Sequence, residues 1–279
     1  MGELRRSRRL TAAVAAAATV WFLFLSATPA SAVVGGTDDT ANRFANVGVL
    51  QLRDGGEWFD FCSGTLVGDD VVLTAAHCTD FFSADVGEDG LGPDDLRVSF
   101  DPDPDASSTY YVADHIVVHP DWFTAPACLG NSKRLCLAPP AEDIALVWLT
   151  ETVAGLDPAP IADADYVDPL DLTSEVFTVV GYGVDEFITG SLLAPQAIVL
   201  VDGIRSYRDV SVITTHDAFP DRFFKLTQST CFGDSGGPLF HEETVVGINT
   251  WTFSTRCSGP NFAYRTDSVV AQAFLDQYL

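Results

Sequence analysis

The sequence is poor in basic residues. It has 15 Lys and Arg residues against 39 Asp and Glu residues, which gives a formal net charge of −24 at pH 7. A protein that binds nucleic acid needs a basic face to neutralise phosphates, and docking on an anionic membrane also requires basic residues. The charge balance therefore argues against both kinds of partner and favours a soluble protein.

Two other features are missing from the sequence. After residue 32, no segment is apolar for long enough to cross a bilayer. No C-x-x-C pair or clustered Cys/His spacing occurs, which argues against a zinc site. We therefore expect neither a membrane span in the mature chain nor a cofactor.

The first 32 residues have the three parts of a secretory signal. Residues 1–9 include four arginines, residues 10–25 are mostly apolar, and residues 28–32 read Thr-Pro-Ala-Ser-Ala, with an Ala-x-Ala cleavage pattern. An uncleaved membrane anchor is the alternative interpretation. The strongly apolar part is short for a span, and the proline and small residues after it favour cleavage.

The sequence thus predicts a signal peptide at 1–32 and a secreted, extracellular domain at 33–279. We expect cleavage after Ala32, and cleavage after Ala30 is the alternative. An even number of cysteines in an exported chain predicts disulfides, although six cysteines allow many pairings and spacing alone does not choose among them. A disulfide between the neighbours Cys128 and Cys136 would be the simplest local loop closure.

The mature chain is predicted to be mostly β. Short runs rich in Val, Ile, Phe, Tyr and Thr alternate with Gly, Pro and Asp from residue 47 to residue 251, as in barrels and sandwiches. The C-terminal segment 267–279 is the exception, because Val270, Phe274 and Leu275 fall near one helical face. We predict a helix there, with Asp267 as its N-cap.

The strongest chemical signal is the string Cys-Phe-Gly-Asp-Ser-Gly-Gly-Pro-Leu at 231–239. A nucleophilic serine needs exposure on a tight turn and backbone N–H groups aimed at the oxyanion that forms during attack. Glycines on both sides allow that turn and a close approach of substrate. An incidental serine in a glycine-rich turn is the alternative, and the complete string argues against it.

Two further strings supply a base and an acid for Ser235. His77 lies in Thr-Ala-Ala-His-Cys at 74–78, and Asp143 begins an apolar strand in Glu-Asp-Ile-Ala-Leu-Val-Trp-Leu at 142–149. A lone histidine is usually structural and a lone aspartate is usually solvated, so these assignments depend on the local strings. In such a triad the acid fixes the tautomer of the histidine, and the histidine activates the serine.

These strings, in the order His, Asp, Ser, resemble the chymotrypsin/trypsin family of serine peptidases. The resemblance spans residues 33–279, and the composition suits a secreted bacterial member. It implies two packed antiparallel β-barrels with the active site between them and a C-terminal α-helix. It also implies a serine endopeptidase, most simply a monomer, that acts on protein or peptide substrates with His77, Asp143 and Ser235 as its catalytic triad.

The resemblance assigns further residues around the triad. It implies an oxyanion hole made by the backbone N–H groups of Gly233 and Ser235, and an ion pair between a new N-terminus at Val33 and Asp234. We expect signal cleavage itself to create that N-terminus. The segment Gly181-Tyr182-Gly183 has tyrosine where the family has tryptophan. The implied disulfides are Cys62–Cys78, Cys231–Cys257 and, by elimination, Cys128–Cys136.

The resemblance also outlines a substrate pocket. Ser229 stands at its base, where trypsin-like specificity requires an aspartate, so a preference for Arg or Lys at P1 is not expected. Trp251 matches the aromatic residue that binds substrate backbone, and Thr250 keeps a hydroxyl able to support Asp143. Where the family has glycines, the walls carry Thr252 and Asn261, whose side chains favour a small or medium uncharged P1 residue.

The sequence leaves three alternatives open, which concern calcium binding, loss of catalysis and ester hydrolysis. The acidic segment 85–105 lies where some relatives bind Ca²⁺, but we interpret it as a solvated loop. A protease-like protein that binds without catalysis would usually have lost part of the triad. Ester hydrolysis uses the same triad, so the sequence cannot separate it from proteolysis.

Overall fold

The computed structural model describes residues 33–82, 91–122, 142–183, 203–216, 219–252 and 257–279. The predicted signal peptide, the pair Cys128–Cys136 and part of the acidic segment 85–105 lie outside these residues. The described strands are β1 Thr37–Asp38, β2 Val47–Asp54, β3 Glu57–Leu66, β4 Val71–Thr74, β5 Leu96–Ser99, β6 Tyr111–Val118, β7 Ala145–Leu149, β8 Phe177–Gly181, β9 Ser206–Val210, β10 Val212–His216, β11 Phe219–Leu226, β12 Pro238–His241, β13 Thr244–Thr252 and β14 Asn261–Arg265.

The first half of the chain forms a closed barrel. Its strands follow the order β2-β3-β4-β7-β6-β5, and β5 pairs back onto β2 through Val49↔Ser99 and Leu50↔Val98. Leu50, Val72 and Leu146 are almost completely buried inside it. Closure gives every strand two neighbours, so the backbone groups of the barrel find partners within it.

The second half is a curled sheet of eight strands in the order β1-β9-β8-β12-β13-β14-β11-β10. All its strand pairings are antiparallel. Its end strands β1 and β10 do not pair with each other in the described part of the chain, so this half-barrel stays open. The predicted all-β architecture with two barrel halves is confirmed, and the difference lies in the closure of the second half.

The C-terminal helix α1 spans Val269–Tyr278 and buries Ala271, Phe274 and Leu275. Its N-cap is Ser268, whose hydroxyl accepts a hydrogen bond from the Ala271 N–H at 3.2 Å. The predicted cap, Asp267, is wrong by one residue. Its carboxylate instead accepts from the Val167 N–H and from the Arg265 guanidinium, which anchors the chain before the helix. Among the described residues no helix is long and apolar enough to cross a membrane.

A fully buried arginine lies between the two halves. Arg205 precedes β9, has no exposed surface, and pairs with the buried carboxylate of Asp39 at 2.9 Å. Burial raises the pKa of Tyr182, so its hydroxyl stays protonated and accepts from Arg205 at 3.1 Å. The guanidinium also donates to the backbone carbonyls of Val47 and Phe100 in the first barrel, and to the side-chain oxygen of Asn42.

Candidate active site

His77 and Asp143 meet at one end of the first barrel. His77 lies in the 3₁₀ turn Ala76–Cys78 that follows β4, and Asp143 lies just before β7, which pairs with β4. The Nδ1 atom of His77 is 2.8 Å from Oδ2 of Asp143, and the backbone N–H of His77 donates to Oδ1 at 3.0 Å. Asp143 is 1% exposed. Its carboxylate therefore fixes both the backbone and the ring of His77.

The surroundings of His77 shift its proton affinity upward. Burial lowers the pKa of His77, but the negative charge and hydrogen bond of Asp143, together with the charge of Asp80, raise it above the usual 6.5. Asp80 accepts a hydrogen bond from Nε1 of Trp122 at 3.0 Å, and the Trp122 ring lies 6.3 Å from the His77 ring. Sequence reasoning missed Asp80, because the string at 74–78 ends before it.

A disulfide lies directly against His77. Cys62 of β3 is bonded to Cys78, the residue after His77, as the family resemblance implied. Their sulfur atoms and a ring nitrogen of His77 lie within 4.8 Å of one another. Because both sulfurs are in a disulfide, this cluster offers no thiolates to a metal. Its role is to tie the histidine turn to β3.

A second buried carboxylate anchors the segment that carries Asp143. Glu142 is 2% exposed, and its Oε2 atom accepts a hydrogen bond from the Tyr264 hydroxyl at 2.5 Å. Its other oxygen lies 3.2 Å from the Arg222 guanidinium. These contacts join the first barrel to strands β11 and β14 of the curled sheet. Glu142 was visible in the sequence only as the neighbour of Asp143, without a sign of these partners.

Ser235 lies on a tight turn of the curled sheet that packs against the first barrel. The next residue, Gly236, has φ +82°, and a Cβ there would collide with the Thr74 hydroxyl and the Ser63 carbonyl. The Ser235 hydroxyl lies 3.5 Å from the Thr250 carbonyl oxygen. In the described residues it forms no hydrogen bond with His77. Such catalytic hydrogen bonds are often long in ligand-free enzymes and tighten when substrate binds.

The turn carries the two backbone donors of the predicted oxyanion hole. Gly233 has φ +94°, a conformation that favours glycine. No acceptor within the described parts of the chain takes the N–H groups of Gly233 or Ser235. An oxyanion needs two such donors that are already oriented before the reaction. The geometry is therefore compatible with the predicted oxyanion hole.

Val33 and Asp234 form no ion pair in this structure. In the full-length chain the Val33 nitrogen is a peptide N–H, and it donates to the Ser206 hydroxyl at 2.5 Å. Asp234 is fully buried, and its carboxylate accepts from the Gly183 and Cys231 N–H groups at 2.9 and 2.8 Å. A salt bridge would require a free amine at Val33, which the uncleaved chain lacks.

The N-terminal segment is nevertheless docked on the curled sheet. Val33 is buried, and the Val34 N–H donates to the Ser229 carbonyl at 2.9 Å. The Arg208 guanidinium donates to the Val34 carbonyl at 2.6 Å. This docking connects the start of the domain directly to the residue predicted at the base of the substrate pocket.

Asn261 is tied to the backbone beside Ser229. Its side-chain oxygen accepts from the Ser229 and Thr230 N–H groups at 2.7 and 3.1 Å, and its side-chain nitrogen donates to the Thr230 carbonyl at 3.0 Å. Asn261 is 1% exposed and pairs with Thr252 across β13 and β14. The disulfide Cys231–Cys257 joins the residue after Thr230 to the segment before β14. The side chain thus joins the predicted wall at Asn261 to the backbone at the predicted base of the pocket.

The other predicted pocket residues lie on β13. The Trp251 ring stacks on the Phe262 ring, with centroids 4.0 Å apart and an angle of 10° between the planes. The Thr250 hydroxyl donates to the Phe262 carbonyl at 3.0 Å. That bond uses the only hydroxyl proton of Thr250, so it is directed to Phe262 and not to Asp143, where sequence reasoning placed its support.

Comparisons with known proteins give a consistent result. The profile of the trypsin family matches residues 33–272. Chymotrypsin-like elastase family member 1 of Canis lupus familiaris is 27% identical over 241 residues, covering 81% of this chain and 83% of the relative. The same protein of Macaca fascicularis is 34% identical over 124 residues, covering 43% of this chain and 39% of the relative.

A solved bacterial structure has the same fold. It is the Vibrio cholerae VesB protease, with a TM-score of 0.60 and 19% sequence identity. The match covers 87% of this chain and 66% of that one. The aligned part of this chain therefore covers less than two thirds of the length of the Vibrio protein and of the macaque relative.

Proposed function

This chain belongs to the trypsin family of serine peptidases, and from that premise we propose that it is a secreted serine endopeptidase. Ser235 would attack the peptide carbonyl, and His77 would accept its proton. His77 would then protonate the leaving amine, and water would release the acyl group by the reverse use of the same residues. The Gly233 and Ser235 N–H groups would stabilise the oxyanion. No cofactor takes part in this mechanism.

The main support for this proposal is the pair of contacts between Asp143 and His77. Asp143 is buried and holds His77 by two hydrogen bonds, one to the ring at 2.8 Å and one to the backbone at 3.0 Å. A carboxylate in this position selects the imidazole tautomer whose Nε2 atom can accept a proton, and it stabilises the imidazolium that forms. A purely structural histidine would not need both contacts from one buried acid.

We propose that the pocket favours a small or medium uncharged P1 residue over Arg or Lys. Ser229 offers no negative charge, and Asn261 places a side chain, where the family has glycine, against the backbone at the pocket base through its three hydrogen bonds. Two of the relatives are named elastases, which is compatible with an uncharged P1 residue. A panel of peptide substrates that differ only at P1 tests this preference, and strong cleavage after Arg or Lys would contradict it.

We further propose that cleavage after Ala32 removes the signal peptide 1–32 and leaves a peptidase domain of residues 33–279 outside the cell. The new Val33 amine would then pair with Asp234, which is buried. The Val33 N–H already donates to Ser206, and Gly181, the strand partner of Ser206, lies against the Asp234 carboxylate. The disulfides Cys62–Cys78 and Cys231–Cys257 support an oxidising compartment. N-terminal sequencing of the secreted protein, combined with its activity, tests this proposal, and a stable active enzyme that begins at Ser31 would contradict it.

Reaction with a serine-directed fluorophosphonate probe tests the catalytic proposal. We expect the purified secreted protein to be labelled and Ser235→Ala to remain unlabelled, with peptidase activity reduced about 10⁶-fold in that variant. Absence of labelling in a folded protein that begins at Val33 would reject the catalytic proposal. A protease-like binding protein would then be the better description.

A further inference from the structure

Ser63 is a buried residue of β3 that directs all its polar atoms toward the catalytic region. It has no exposed surface and follows Cys62, whose disulfide braces the His77 turn. The sequence analysis assigned its neighbour Cys62 to a disulfide and gave the Ser63 hydroxyl no role. The structure shows that this hydroxyl reaches across to the other half of the molecule.

The contacts of Ser63 bracket the turn that carries Ser235. Its hydroxyl donates to the Gly233 carbonyl at 2.8 Å, and its backbone N–H donates to the Ser235 carbonyl at 2.7 Å. The hydroxyl also accepts from the Tyr182 N–H at 3.0 Å, and the Ser63 carbonyl accepts from the Thr74 hydroxyl at 2.8 Å. Two carbonyls of the turn, one on each side of Asp234, are thus held from the first barrel.

The Gly233 contact is the one that matters for the oxyanion hole. Gly233 has φ +94° and no side chain, so its own backbone accepts a wide range of orientations. A hydrogen bond to the Gly233 carbonyl oxygen fixes the peptide plane between Gly233 and Asp234. Because this plane and the Gly233 N–H group meet at the Gly233 Cα, the bond also restricts the direction of that N–H group. Asp234 holds the same turn from the opposite side through the Gly183 and Cys231 N–H groups.

We propose that Ser63 is a positioning residue for the oxyanion hole. Its hydroxyl bridges the Gly233 carbonyl and the Tyr182 N–H, and so fixes the Gly233 donor before substrate binds. Donors oriented in advance stabilise charge that develops only in the transition state, so their loss lowers kcat and leaves KM unchanged. The proposal rests on the endopeptidase function proposed above.

Ser63→Ala removes the bridge and leaves the strand in place. Displacement of a catalytic group by about 1 Å can cost about 100-fold in rate, and we expect kcat on a peptide amide substrate to fall about 10- to 100-fold with KM unchanged. We also expect the affinity for a peptide aldehyde, which forms an oxyanion adduct with Ser235, to fall by the same factor. The affinity for the non-covalent cleavage product should stay the same.

Ser99→Ala is the matched control. Ser99 is a buried serine of the same barrel, and among the described residues its hydroxyl accepts only from the Asp101 N–H at 3.4 Å. Rates are divided by the concentration of sites that react to completion with the fluorophosphonate, which separates a loss of folded protein from a loss of turnover. If Ser63→Ala does not fold, Ser63→Gly leaves space for a bridging water, and a smaller loss of kcat is expected.

Three results would overturn the proposal. The first is unchanged kcat and aldehyde affinity per titrated site in Ser63→Ala, or in Ser63→Gly where that variant is used. The second is a rise in KM with constant kcat, or a loss equal to that of Ser99→Ala, because either points to a general structural role. The third is a wild type that does not react with the fluorophosphonate, which rejects the proposed function itself and the role of Ser63 with it.

Discussion

The two halves of the molecule hold the proposed catalytic residues in different ways. The first half is a closed barrel of six strands that carries His77 and Asp143. The second half is an open sheet of eight strands that carries Ser235, and its outer strands each pair on one side only within the described residues. The proposed acid–base pair therefore lies on a barrel that closes on itself, and the proposed nucleophile lies on a sheet that stays open in the described residues.

The open sheet is completed by polar contacts that come from elsewhere in the chain. Arg205 joins it to the carbonyls of Val47 and Phe100 in the first barrel, and the Ser63 hydroxyl reaches the turn at Gly233. Buried polar contacts cost a great deal when one partner is removed, because the other is left without a partner. Substitutions at these contacts should therefore disturb the nucleophile more than the closed barrel.

The largest effect is expected when Arg205, the buried cation between the halves, is replaced. Arg205→Met leaves the Asp39 carboxylate buried without a counter-charge, and breaking a buried pair in this way costs about 3–5 kcal/mol. We expect the free energy of unfolding to fall by about that amount in urea denaturation followed by tryptophan fluorescence. We also expect fluorophosphonate labelling of Ser235 to be lost at lower urea than the signal of the closed barrel.

Two variants control this experiment. Arg43 is exposed, so Arg43→Met should change the free energy of unfolding by less than about 1 kcal/mol. Asp39→Asn combined with Arg205→Met removes the unpaired charge and should recover part of the loss. If Arg205→Met were no less stable than Arg43→Met, the contact between the halves would not depend on this arginine.

The sequence predicted the parts of this molecule whose signals are local. The strings around His77, Asp143 and Ser235 each lie within a few residues, and strands β2 to β12 lie in the region predicted to be rich in strands. The C-terminal helix was predicted from the spacing of Phe274 and Leu275, both of which are buried. In each case the residues that decide the structure are neighbours in the chain.

The parts that could not be predicted depend on partners far apart in the chain. Asp39 and Arg205 are 166 residues apart, and Ser63 and Gly233 are 170 apart. Neither pair belongs to a repeating pattern, and a lone arginine in a sequence is usually on the surface. The structure explains why tyrosine stands at position 182, because Arg205 donates a hydrogen bond to its hydroxyl.

A smaller effect is expected from a substitution inside the open sheet. Asn261→Gly removes the side chain that crosses to Ser229 and Thr230, and we expect larger uncharged P1 residues to gain relative to alanine. One or more methylenes of pocket space change the ratio of kcat/KM by about 10- to 200-fold. Equal P1 profiles for wild type and Asn261→Gly would show that another residue limits the pocket.

The smallest expected effect tests the electrostatics of the closed barrel. The charge of Asp80 contributes to the raised pKa of His77, although less than Asp143 does. The imidazole must be neutral to accept the Ser235 proton, so kcat/KM falls as the pH drops through the pKa of His77 in the free enzyme. In the wild type we expect this acid limb above pH 6.5. Asp80→Asn should move it to lower pH, while the amide oxygen still accepts from Trp122.

Asp114→Asn provides the control for this shift, because it also removes one carboxylate from the closed barrel. Asp114 is exposed and bonds to His115 instead of His77, so its loss should leave the acid limb unchanged. The two variants have the same change in net charge, which separates a local field at His77 from the general effect of an acidic protein surface. Equal shifts in both variants would mean that the general field sets the pH profile. A shift confined to Asp80→Asn would mean that the raised pKa of His77 depends on Asp80. This neighbour in the closed barrel lies outside the sequence strings that predicted His77, Asp143 and Ser235.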